Sequence, residues 1–202
     1  MIKIAILIGK GGRLENVYRC CKGEPKAELA LVISHKKESP GVETAGKWGI
    51  ESFYFRLSDW KEKGRSREDY NKELAGKLKE RDIDLVILAG WDIVLGKNFL
   101  GEFSRRVINI HPALSPAFPG LESEKQALDY GVKITGCTLH FVDEGVDTGP
   151  IIFQEAVEVK NEETVESLAK KIHQAEDKLL CSAIKLFAQG KIKVEGREVK
   201  IL

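Results

Sequence analysis

The sequence predicts an α/β protein with a mostly parallel sheet, helices on both faces and an antiparallel hairpin at one edge. Three observations lead there. Nearly continuous apolar runs alternate with amphipathic segments through the first two-thirds of the chain, the order of a sheet built from crossover units. The runs are rich in β-branched residues, as strands covered on both faces are. After residue 130 the pattern changes to two strand-like runs joined by a turn, then one long helical stretch.

Element by element, Ile2–Ile8 (IKIAILI) is the first buried strand and Leu14–Cys21 a short helix. Glu28–Ser34 is a second strand and Ile50–Phe55 a weaker third. Ser66–Arg81 places Tyr70, Leu74 and Leu78 four apart, a helical spacing. Asp84–Leu88 is the clearest strand, ended by Ala89-Gly90, and Arg106–Ile110 is a fifth. Lys133–Val142 and Pro150–Val159, joined by Asp143–Gly149, form the hairpin. Glu162–Gly190 is the long helix, with Asn161 as its cap, Glu162 and Glu163 at its positive end, and Gly190 as its stop. Lys191–Val194 and Val199–Leu202 close the chain. Without a repeat or a linker, residues 1–202 are expected to form a single domain.

Composition narrows the function. Of 202 residues 43% are apolar and 31% charged, which suits a chain with a sizeable core. The balance of 32 basic against 31 acidic residues leaves +1, which speaks against a broad nucleic-acid surface. No apolar run approaches the roughly 18–20 residues that span a bilayer. Met1–Ile8 is too short for a signal peptide and runs into Gly9-Lys10-Gly11-Gly12 with no small-residue cleavage site, so a cytoplasmic location is expected. The four cysteines form no CxxC pair and are expected to be buried free thiols. The four histidines are too dispersed to show metal-ligand spacing. No metal is expected, no membrane or nucleic-acid partner, and the oligomeric state is left at monomer or homodimer.

Ligands of open parallel sheets bind beyond the carboxyl ends of the strands, which directs attention to four segments. Gly9-Lys10-Gly11-Gly12-Arg13 is a glycine-rich turn ahead of a helix. It lacks a Walker Lys-Ser/Thr pair, and Leu14 replaces the third glycine of a dinucleotide fingerprint, so ATP and NAD are both disfavoured. A small phosphate ester at the helix start and a plain tight turn both explain it. Gly90–Leu95 follows the fourth strand. Asn109–Gly120, with three prolines, is a rigid non-helical loop that puts Asn109 and His111 two apart at a strand end. An amide and an imidazole on one face can provide an oxyanion donor and a proton carrier, although a structural histidine fits as well. Asp147, between Gly145 and Gly149, is either a turn former or the acceptor such a histidine needs. His140 reads as a satisfied sheet residue and His35 as solvated. Glu176 falls on the apolar stripe of the long helix, four after Ile172 and three before Leu179. There it is a fraying edge or a carboxylate turned to a polar ligand.

Asn109-Ile110-His111-Pro112, followed by Leu114, Pro116 and Pro119-Gly120, resembles the signature of the folate-dependent formyltransferases. Asp143–Pro150 (DEGVDTGP) resembles that family's second signature. The similarity runs over essentially the whole chain and is strongest to the single-domain, purine-pathway branch. The resemblance implies a Rossmann-like formyltransferase fold. Residues 1–100 would be its nucleotide- and phosphate-binding half, and residues 101–202 its folate-binding and catalytic half. It implies formyl transfer from 10-formyltetrahydrofolate, the one co-substrate, to the amine of 5′-phosphoribosylglycinamide. The alternatives are a formyltetrahydrofolate hydrolase, or transfer to another amine such as an amino sugar.

Asn109, His111 and Asp147 match the family's catalytic trio. Arg67, Trp91, Asp92, Ile93, Val94, Leu95, Asn109, Val142, Asp143, Glu144 and Asp147 would contact the folate. Gly11, Gly12 and Arg13 match its phosphate loop, and Glu176 matches the helix glutamate that holds the ribonucleotide. The sequence departs from the family at Gly12-Arg13, where Ser-Asn is usual, and at Asp92-Ile93, where a bulky apolar residue and an arginine are usual.

Overall fold

A computed structural model describes all 202 residues. The strand order of its main sheet is β3-β2-β1-β4-β5-β6-β7, with a separate two-stranded sheet β8-β9. The chain divides into two compact units, Met1–Ile108 and Asn109–Leu202.

In the first unit, β1 (Ile2–Ile8), β2 (Ala27–Ser34), β3 (Glu51–Tyr54) and β4 (Leu85–Ala89) make parallel ladders, β1 lying between β2 and β4 and β2 between β1 and β3. All of β4 and most of β1 are buried, which accounts for their unbroken apolar character. The helices are α1 (Leu14–Lys22), α2 (Pro40–Lys47), α3 (Leu57–Glu62), α4 (Arg67–Lys79) and α5 (Lys97–Glu102). A capping box between Ser66 and Asp69 starts α4, whose Tyr70, Leu74 and Leu78 are fully buried. The Tyr70 hydroxyl donates to the Phe55 carbonyl at 2.7 Å. Of these, α1 and α4 are legible in the sequence, whereas α2, α3 and α5 are not. These are short, and α2 and α5 each contain a glycine.

β5 (Val107–His111) begins in the first unit and ends in the second. In the second unit β6 (Ile134–Phe141) and β7 (Ile151–Glu158) form the expected antiparallel pair. Gly136 allows their close approach, since a Cβ there would lie 2.0 Å from the Glu155 carbonyl oxygen. The unit also holds α6 (Ser123–Tyr130), α7 (Val165–Ala188) and the hairpin β8 (Ile192–Glu195) and β9 (Glu198–Ile201). α7 buries Leu168, Ile172, Leu179, Leu180, Ala183 and Ile184 along one stripe. It starts later than the sequence reading places it. Thr164, not Asn161, is the cap, through a reciprocal box with Ser167. Glu162 precedes the helix at φ +61°.

No helix is long and apolar enough to cross a membrane. Cys21 and Cys137 are free and buried, and burial pushes both thiols up to about 12. Cys20 and Cys181 are not among the free thiols, which corrects the expectation that all four are free.

Candidate active site

The second unit assembles a polar cluster from β5, β6 and two loops. Asn109 and His111 lie on β5, two residues apart, and His111 is buried. Asp147 sits in the loop between β6 and β7 at φ +53°, a left-handed conformation that costs a non-glycine residue on the order of 1–2 kcal/mol. Its Oδ2 accepts from the Gly120 N–H at 2.9 Å and lies 3.3 Å from His111 Nδ1. Its Oδ1 accepts from Asn109 Nδ2 at 3.3 Å. On the other side of the ring, His111 Nε2 donates to the Phe118 carbonyl at 2.9 Å. The sequence-predicted trio therefore forms one network.

Burial alone would raise the Asp147 carboxyl. The His140 hydrogen bond, the Gly120 N–H and the nearby charges of His111 and His140 outweigh it and hold the group below the usual carboxylate range. The loop is shaped from within, because Asp143 Oδ1 accepts from the Gly145 N–H at 3.1 Å and from the Thr148 hydroxyl at 2.6 Å. The segment after His111 is tied to the sheet. Thr138 Oγ1 donates to the Ala113 carbonyl at 2.7 Å and accepts from the Ser115 N–H at 2.9 Å.

His140 belongs to this network, contrary to its reading as a sheet residue without a role. It is buried on β6, and its Nδ1 donates to the Phe141 carbonyl at 2.8 Å. Its Nε2 lies 3.3 Å from Asn109 Nδ2 and 3.6 Å from Asp147 Oδ1. A signal was present in the sequence. A histidine inside Cys137-Thr138-Leu139-His140-Phe141 is a buried polar group that requires a partner.

The remaining expected site residues are distributed between the units. Val142, Asp143 and Glu144 share the Asp147 loop. Glu176 is buried on α7 at 4% exposure, near enough to Cys137 for its charge to add to the rise of that thiol. In the first unit, Gly11 (φ +100°) crosses Gly41 so closely that a Cβ would sit 2.8 Å from the Gly41 Cα. Close backbone packing thus requires that glycine, and nothing within 4 Å crowds Gly12. Arg13 is the N-cap residue of α1 and Arg67 is the first residue of α4.

After β4, Trp91 and Leu95 are buried and Val94 is exposed. The Trp91 indole N–H is buried without a protein partner. Asp92 is engaged within the unit, with His35 Nε2 at 2.7 Å and Lys36 Nζ at 2.5 Å. His35 is therefore buried and paired, not solvated, and stands edge-on to Trp91 with centroids 4.8 Å apart.

The formyl transferase family model matches residues 2–184. The chain belongs to the formyl transferase family. It is 36% identical over 187 residues to the phosphoribosylglycinamide formyltransferase of Bacillus subtilis, covering 92% of this chain and 94% of that protein. It is 39% identical over 195 residues to the trifunctional purine biosynthetic protein adenosine-3 of Gallus gallus. That match covers 96% of this chain, which spans only 19% of the trifunctional relative's length. Among solved structures, glycinamide ribonucleotide transformylase 1 from Symbiobacterium toebii superimposes with a TM-score of 0.94 at 41% identity, covering 100% of this chain and 94% of that one. As a formyl transferase family member, the chain carries the Asn109–His111–Asp147 network in the two segments that resemble the family's signatures.

Proposed function

We propose that this chain transfers the formyl group of 10-formyltetrahydrofolate to the amine of 5′-phosphoribosylglycinamide, a step of purine biosynthesis. The observation that carries the reading is the hydrogen-bonded convergence of Asn109, His111 and Asp147 in a chain of this family. The proposal includes the other assignments made from the resemblance. Arg67, Trp91–Leu95 and Val142–Glu144 contact the folate, while Gly11, Gly12, Arg13 and Glu176 hold the ribonucleotide. A single formyltransferase domain, a cytoplasmic setting and a monomeric or homodimeric state complete it.

The reduced folate, when bound, supplies the formyl carbon. The amine attacks that carbon, charge collects on the formyl oxygen, and the carbon–nitrogen bond to the folate then breaks. One proton leaves the amine and one ends on the departing nitrogen. The side chains must stabilise the oxygen and move a proton. Asn109 Nδ2 is suited to the first task because both its present bonds are long, at 3.3 Å, and an oxyanion is a stronger acceptor than either partner. His111 provides the second donor and the proton carrier. Both its ring nitrogens face oxygen acceptors, which fix the ring's orientation, and the Asp147 carboxylate stands beside Nδ1. A placed oxyanion donor contributes about 3–4 kcal/mol to the rate.

Asp92 introduces a negative charge where the family usually has none. Its ion pair with Lys36 balances that charge locally, and His35 Nε2 stands 2.7 Å from the same carboxylate.

The test is a spectrophotometric assay of 10-formyl folate consumption with and without glycinamide ribonucleotide. Consumption that depends on the ribonucleotide supports the proposal. Equal consumption without it makes water the acceptor. Folate binding without consumption moves the search to other amines.

A further inference from the structure

We propose that Arg197, at the tip of the β8–β9 hairpin, is a positioning residue for the Asp147 loop. Asp147 holds a left-handed backbone at φ +53°, and such a conformation persists only where its surroundings over-determine it. Part of that support is internal to the loop. A Cβ on Gly145 would fall 2.0 Å from Thr148 Oγ1, and one on Gly149 would fall 1.7 Å from the Phe141 carbonyl oxygen, so both turns are closed tightly. On one side the Asp147 carboxylate is anchored by Gly120 and Asn109. On the other side, the carbonyl of the next residue, Thr148, accepts from Arg197 Nη2 at 2.9 Å. The strained residue is thus fixed from both ends, and Arg197 supplies the anchor from 49 residues further along the chain.

The hairpin is built to present that side chain. β8 and β9 pair from Ile192↔Ile201 to Glu195↔Glu198, leaving Gly196 and Arg197 as the two-residue turn, with Gly196 at φ +62°. Ion pairs of Glu195 with Lys193 (2.8 Å) and Lys200 (2.5 Å) brace it. The hairpin lies beyond residue 184, outside the part of the chain that the family model matches. It therefore acts on the catalytic loop from outside the family signature.

The prediction for turnover rests on the proposed formyl transfer, and the exchange measurement does not. Arg197→Met keeps the stem and removes the donors. It should lower kcat about 3- to 10-fold, the effect of one lost hydrogen bond, without changing KM for glycinamide ribonucleotide. Arg197→Lys should recover part of the loss. Amide hydrogen exchange at residues 143–149 should quicken in the Met variant, while α7 keeps its protection. Unchanged exchange at 143–149 overturns the proposal, whether or not the wild type consumes formyl folate. A lower Tm with kcat unchanged also overturns it, because the bond would then be merely structural.

Discussion

Two aspartates in this molecule keep similar company. Asp92, after β4, meets His35 and Lys36, and Asp147, after β6, meets His111, His140 and Asn109. Asp92 is 38% exposed, and short contacts of 2.7 and 2.5 Å to a ring nitrogen and an ammonium group satisfy it. Asp147 is 13% exposed, and its side-chain contacts are long, at 3.3 to 3.6 Å; its one short bond is to a backbone N–H. The first cluster is a closed ion pair with little left to offer. The second is a chain of adjustable donors around a carboxylate whose backbone is held rigidly. Residue type does not separate the closed cluster from the open one here. Contact length and backbone constraint do.

The sharpest way to break this contrast is to truncate the open network. His111→Ala and Asn109→Ala should each reduce turnover by about 10²–10³ while circular dichroism stays native. Normal turnover in either would put the chemistry elsewhere. Asp147→Asn keeps the shape and removes the charge, and should cost about 10² in kcat. A loss confined to KM would instead make Asp147 a binding residue.

His140→Gln sharpens the comparison further. It should lower kcat about 5- to 10-fold, as expected for one hydrogen bond to Asn109. An unchanged rate would leave His140 as sheet packing. Asp92→Asn should change turnover by no more than about 3-fold and stability by less than about 1 kcal/mol, since a partly exposed pair contributes little.

The two clusters also differ in their acid windows. His35 is lowered from its ordinary value, chiefly by burial, against the attraction of Asp92. Its unfolded ring therefore takes up a proton first, and stability begins to fall as pH drops below about 6.5. Asp147 is depressed, so its contribution is complete above about pH 3.9 and is lost only as pH falls through its still lower folded value. Chemical denaturation from pH 8 to 3 should show the first decline in the wild type and not in His35→Asn. An identical decline in that variant would assign it to another group.

Much of this was legible because it depends on local pattern. The runs IKIAILI and LVILA are strands wherever they are buried, and their boundaries come within a residue or two of those read from the sequence. The Asn109–His111 spacing puts both side chains near the end of one strand, and the pair does join Asp147. The misreadings have a common origin. His35 and His140 look ordinary in sequence because their partners, Asp92 and Asp147, are far away along the chain or in a loop of undetermined shape. Asn161 lost the cap of α7 to Thr164 because Ser167 stands in register to complete the box. Short α2, α3, α5 and α6 carry too little periodicity to register at all.

The sequence by itself determined the α/β class, the order of strands and long helices, and the residue types that the proposed chemistry draws on, since periodicity and motif are properties of neighbours along the chain. Tertiary structure alone decided which carboxylate is neutralised and which stays available, that His140 turns toward Asn109, and that Arg197 reaches the carbonyl after Asp147. Those outcomes depend on distances of about 3 Å between groups tens of residues apart. Such distances are set only once strands pair and loops close.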